Sequence, residues 1–177
     1  LSLTPEDGFV AFVRSDIKEI PLASDSVVSC WCSMAIHYSV SAEDTMRQIG
    51  RVLTPGGRVA VRTGTPETVE SYLLLHFFPT AMMAEKRAMP RLEDIVQSMI
   101  TAGFQDVGVV ETSVRPSIGY RSYLGRVLYR GFPSLQLVGT LEFARGTLTL
   151  ALACLSRALR GVAIPEERSV LVTGVWR

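Results

Sequence analysis

The chain has 177 residues, 47% hydrophobic and 20% charged, which suits one packed domain and not a disordered chain. Its 18 Lys and Arg against 17 Asp and Glu leave a net charge of +1, with no run of basic residues, which argues against a dedicated nucleic-acid binder. No stretch approaches the roughly 18 consecutive apolar residues that a membrane span needs.

The first apolar run, Phe9, Val10, Phe12 and Val13, reads as a short strand that ends in Arg14-Ser15-Asp16. Ile20-Pro21-Leu22 is extended, and Ala23 to Ser26 form a turn cluster. Residues 27–34 are almost continuously apolar, as in a strand buried on both faces of a helix-covered parallel sheet. Cys30 and Cys32 lie in this run and share one strand face; with Cys154 they make an odd, irregular set. They read as buried structural thiols and not as a disulfide framework or zinc site. Reduced cysteines and no secretory signal in the sequence point to the cytoplasm.

Ser41-Ala42-Glu43-Asp44 opens a helix with a near capping box, and Met46, Ile49, Val52 and Leu53 follow at helical spacing. Thr54-Pro55-Gly56-Gly57 ends it, and a further strand is predicted over residues 58–62. Strand, helix, strand with tight links is a βαβ unit, so the fold class is α/β, a doubly wound, mostly parallel sheet. Beyond it, residues 67–85 read as a helix interrupted at Pro79, and residues 91–102 as a helix capped by Gly103. Phe104 and residues 107–110 read as a strand. Residues 120–160 read as mostly helical with a break near Gly131-Phe132-Pro133, and residues 169–176 as a closing strand. No linker divides the chain, so residues 1–177 form a single domain with a helical insertion, 117–162, before the last strand.

Ligands of open α/β sheets sit beyond the carboxyl ends of the strands, which gives weight to the residues just after each one. Asp16 has the acceptor an adenine amino group requires, or else it caps a local turn. Ser33 offers a hydroxyl at a strand end. His37 titrates near neutral pH and suits proton removal from a nucleophile, or else a structural bond to loop backbone. Arg62 suits an anionic substrate group, or else a solvated strand end. Leu73-Leu74-Leu75 and Met82-Met83 read as core or as a lid over a substrate pocket. No phosphate-cradling G-x-G-x-x-G and no G-x-S-x-G nucleophile elbow occurs.

Taken together, the segments Ser15-Asp16-Ile17-Lys18-Glu19-Ile20-Pro21-Leu22, residues 27–38 with Ala35-Ile36-His37-Tyr38, and Arg51-Val52-Leu53-Thr54-Pro55-Gly56-Gly57 resemble the type 11 branch of the class I S-adenosylmethionine-dependent methyltransferases. The later Ala102-Gly103-Phe104 and the closing strand fit the same pattern. The resemblance implies a Rossmann-like fold of which this sequence is the C-terminal part, the family's glycine-rich first loop being expected before Leu1. It implies S-adenosylmethionine as cofactor, with Asp16 at the adenine, Ile17 beside the ring through its backbone, and Ser33 along the methionine portion. It places His37 where substrate and methyl group meet. The implied reaction is methyl transfer to an oxygen, nitrogen or carbon nucleophile of a small molecule, with Arg62, Tyr120 and Tyr123 as substrate contacts and Arg121 beside them. Two other readings compete with it. One is a non-catalytic methyltransferase-like protein that acts with a partner chain; the other is an unrelated doubly wound nucleotide binder.

Overall fold

The computed structural model describes residues 12–177. Four strands, β1 (Val27–Ser33), β2 (Leu53–Thr63), β3 (Gln105–Val114) and β4 (Glu167–Val175), form one sheet in the order β1-β2-β4-β3. β1 and β2 are parallel, and β4 runs antiparallel to both β2 and β3. β1, β2 and β3 therefore all point the same way, and only the closing strand is reversed. The chain thus has the mixed, parallel-containing α/β sheet expected of it.

α1 (Ala42–Val52) links β1 to β2 as the crossover a parallel pair requires. Ser41 caps it by accepting the Asp44 N–H at 3.1 Å, while the N–H of Ser41 goes to Ser39 Oγ and not to an acidic side chain, so only half of a capping box forms. α3 (Leu92–Ala102) ends at Gly103, whose φ of 108° is the left-handed turn glycine permits. α1 and α3 cover one sheet face, where Cys32, Val59, Val61 and Val172 meet Met46, Ile49, Ile95 and Met99.

Three sequence expectations change here. Phe12 and Val13 are exposed coil and not strand, and the rest of that predicted run, Phe9 to Ala11, lies outside the described residues. β1 is not buried on both faces: Cys32 is covered, but Val28 and Trp31 are 75% and 61% exposed, because among the described residues helices cover one face only. β2 starts at Leu53 and not at Arg58, because Gly56, at φ 79°, lets the strand bulge and remain paired with the chain end. There the Gly56 N–H donates to Trp176 O and the Trp176 N–H to Gly57 O.

A second core lies beyond one end of the sheet. β2 and β3 both finish at this end and β4 begins there, so the chain segments joining β2 to α3 and β3 to β4 stack above it. The first holds two single-turn 3-10 helices, Thr68–Ser71 and Leu73–Phe77, and α2 (Pro79–Ala88). Pro79 begins α2 instead of interrupting a longer helix, since a first-turn position has no N–H to lose. The second holds α4 (Tyr120–Leu128), a 3-10 turn at Pro133–Leu137 and α5 (Thr140–Leu159), broken where the sequence predicted. Leu73, Leu74, Phe78, Tyr123, Leu135 and Leu150 interlock across the two. The expected insertion at 117–162 thus shares its core with residues 68–89.

Candidate functional site

Between the sheet end and this helical cap lies a cavity of about 500 Å³. Met34, His37 and Tyr38 enter it from just after β1, Arg62 from the end of β2, and Glu167 and Arg168 from the start of β4. The cap supplies Tyr72, Leu74, Leu75, Glu85 and Met89 from one crossover, and Tyr123, Phe132 and Leu137 from the other. A mostly apolar wall with a few converging polar groups is the usual character of a small-molecule site.

His37 is placed by a sharp change of direction. Met34, at φ 51°, turns the chain out of the strand while its N–H donates to Arg62 O at 2.8 Å. A left-handed conformation at a non-glycine residue costs energy and tends to mark functional turns. A one-turn 3-10 helix, Ile36–Tyr38, follows; Ile36 is buried and anchors it, leaving His37 to line the cavity. Nδ1 of His37 is buried and has no hydrogen-bond partner. Burial lowers the pKa of the ring, and Glu85 opposes this only in part. The imidazole is therefore neutral at pH 7, with an unengaged buried nitrogen.

Arg62 and Ser33 are register partners on β2 and β1. The guanidinium donates to Ser33 Oγ at 3.4 Å and to Ser169 Oγ at 3.3 Å, and Ser169 Oγ shares a further bond of 2.9 Å with Thr112 Oγ1. Ser33 thus steadies the arginine from outside the cavity lining. Glu167 has its pKa raised by burial, with Arg126 and Arg62 pulling the other way. Tyr72 is raised too, by burial and by the carboxylates Glu167 and Glu85. Tyr123 is almost fully buried, and its hydroxyl accepts the Leu74 N–H at 3.1 Å, joining the two halves of the cap; burial pushes its phenol strongly upward.

The cavity therefore unites three of the expected residues, His37, Arg62 and Tyr123, and Ser33 adjoins it. Asp16 and Ile17 precede β1 and do not line it. Asp16 is exposed; its Oδ1 accepts the Lys18 N–H at 2.9 Å and its carbonyl the Glu19 N–H at 3.0 Å, an Asx turn. Arg51 fixes this loop by donating to Ile20 O and Leu22 O, and Ile17 packs on the sheet core. Tyr120 is not at the cavity: its hydroxyl donates to Val162 O at 3.1 Å and ties α4 to the loop after α5. Tyr72, Glu85 and Glu167 were not singled out in the sequence, where each looks like an ordinary helix or strand residue.

The raised Glu167 carries a prediction about stability. A carboxyl with a raised native pKa favours folding while protonated, and that contribution is lost as pH rises through the native pKa. Glu167→Gln is therefore expected to raise Tm at pH 7 by up to about 3 °C. The gain should fade as pH falls through the raised native pKa and be absent below the ordinary glutamate value of about 4.3. Calorimetric scans of both proteins across that pH range read it directly.

Comparison with known proteins agrees with this fold. The family model described as "Methyltransferase domain" matches residues 2–61. The malonyl-[acyl-carrier protein] O-methyltransferase of Enterobacter lignolyticus (strain SCF1) is 36% identical over 52 residues, which are 29% of this chain and 21% of that protein. The matched stretch thus spans about a fifth of that relative's length. Among solved structures, an Anabaena variabilis protein assigned as a methyltransferase of an antibiotic biosynthesis pathway superposes with a TM-score of 0.69 at 16% identity, covering 94% of this chain and 76% of that one. A SAM-dependent methyltransferase of Thermotoga maritima gives 0.52 at 13% identity, with 93% and 63% covered. The chain thus shares the fold of these methyltransferase structures, and its residues 2–61 match the methyltransferase-domain family model.

Proposed function

We propose that this chain takes part in S-adenosylmethionine-dependent methyl transfer to an oxygen, nitrogen or carbon nucleophile of a small molecule held in the cavity under the cap. The observation that carries the reading is His37: an imidazole that lines the cavity, its pKa lowered by burial, at the carboxyl end of β1 and inside the segment that matches the family model. The bound cofactor would supply an electrophilic methyl group. The residues present suit part of its binding: the Asp16 carboxylate keeps acceptor capacity for an amino group, and Ile17 beside it packs partly buried on the core.

The remaining roles belong to the chain's own side chains. His37 accepts the proton that the nucleophile loses. Arg62, braced by Ser33 and Ser169, holds an anionic group of the substrate. Tyr123 fixes the cap, and the apolar wall excludes water while alignment of the reactants does most of the work. The three free cysteines fit a reducing setting such as the cytoplasm. Among the described residues no helix is long and apolar enough to cross a membrane.

Calorimetric titration with S-adenosylhomocysteine tests the cofactor half of this reading. The expected result is a Kd of about 1–100 μM that weakens at least tenfold in Asp16→Ala. Unchanged affinity in the variant removes Asp16 from the site; a chain that binds nothing is either part of a longer enzyme or a non-catalytic protein, and repeating the titration with the upstream coding sequence restored separates the two.

A further inference from the structure

α5 is apolar on two opposite sides. Gly146, Leu150 and Cys154 face inward and are buried, Gly146 so closely that a Cβ there would come within 2.5 Å of Phe77 O. On the far side Leu141, Leu148, Leu152, Leu155 and Leu159 are each 57–88% exposed. At about 100° per residue these five fall within an arc of roughly 60°, centred opposite the buried face, along a helix about 30 Å long. Scattered exposed leucines are ordinary, but a continuous stripe on one helix marks a surface that meets something.

The charge around the stripe identifies what it meets. Residues 117–162 hold six arginines (Arg121, Arg126, Arg130, Arg145, Arg157 and Arg160) and one glutamate, a net charge of +5 in a chain whose total is +1. Of these, Arg126 and Arg130 lie over Phe132 and Phe143 inside the cap, whereas Arg145 on α5 and Arg160 just past its end are exposed beside the leucines. A second copy of the chain would bring these two cations against their own kind, whereas an anionic lipid surface complements them. We propose that α5 docks in the plane of an anionic bilayer, with its leucines in the acyl boundary and its arginines at the headgroups. The helix cannot cross the membrane, so the attachment is peripheral and reversible.

Sedimentation with large unilamellar vesicles tests this. The chain is expected to bind vesicles of phosphatidylcholine mixed with phosphatidylglycerol, to bind pure phosphatidylcholine at least about tenfold more weakly, and to be released by salt. The double variant Leu148→Ser, Leu152→Ser should lose about tenfold in vesicle affinity with an unchanged circular dichroism spectrum, since both residues face solvent. Arg145→Glu with Arg160→Glu should abolish the preference for anionic lipid. No binding to mixed vesicles, or binding that the leucine variant retains, overturns the proposal. So does light scattering that shows a dimer which the leucine variant dissociates, because the stripe is then covered by a second copy.

Discussion

His37→Gln is expected to lower kcat for methyl transfer by about 10²–10⁴-fold, the span over which a positioned general base contributes. Glutamine keeps much of the volume of imidazole and can still fill the 3-10 turn, so folding and cofactor affinity should stay within about threefold of the parent. The pH profile separates a base from a merely structural histidine. Burial lowers the His37 pKa from its usual 6.5, so the activity of the parent enzyme should rise through a limb lying below pH 6.5 and be flat near pH 7. In the glutamine variant that limb should vanish. If kcat stays within about threefold of the parent, catalysis rests on alignment alone and the nucleophile reaches the cavity already deprotonated.

Local signals were legible in the sequence, and long-range ones were not. Ser41 at the start of α1, Gly103 at the end of α3 and the apolar run of β4 each announce themselves through chemistry that acts within a few residues. The cavity is different. Ser169 reaches Arg62 across 107 residues, and Glu85 and Glu167 line one cavity with His37 only because the cap is fed from the same end of the sheet. Nothing in the neighbourhood of Glu85 sets it apart from a solvated helix glutamate. Asp16 was open between a ligand contact and a turn. The structure supplies the turn bond, from the Lys18 N–H to Oδ1 of Asp16. The positive field of the cap was also hidden, because its arginines are spaced along two helices and never form a run.

Phe78→Ala is expected to destabilise the protein by about 3–5 kcal/mol, a large part of the roughly 5–15 kcal/mol that holds a domain folded. Phe78 is fully buried where the second 3-10 turn meets α2; its ring lies 6.0 Å from that of Phe143 and against the bare backbone of Gly146. Truncating it opens a void that α5 cannot close without moving along its whole length. The loss should be uneven, because the cap and sheet cores share no buried residue and meet mainly where the Arg168 N–H donates to Ser71 Oγ and β4 runs under the first 3-10 turn. Native-state hydrogen exchange should therefore show protection falling in α2, α4 and α5 while amides of β2 and β4 hold theirs. Met99→Ala, in the sheet core, should lower protection in both regions, since the cap stands on the sheet and not the reverse. Equal losses everywhere in Phe78→Ala would mean that the two cores unfold as one. In the uneven case the cavity wall is the less stable layer, and a substrate can enter by local opening of the cap while His37 and Arg62 stay fixed on the sheet.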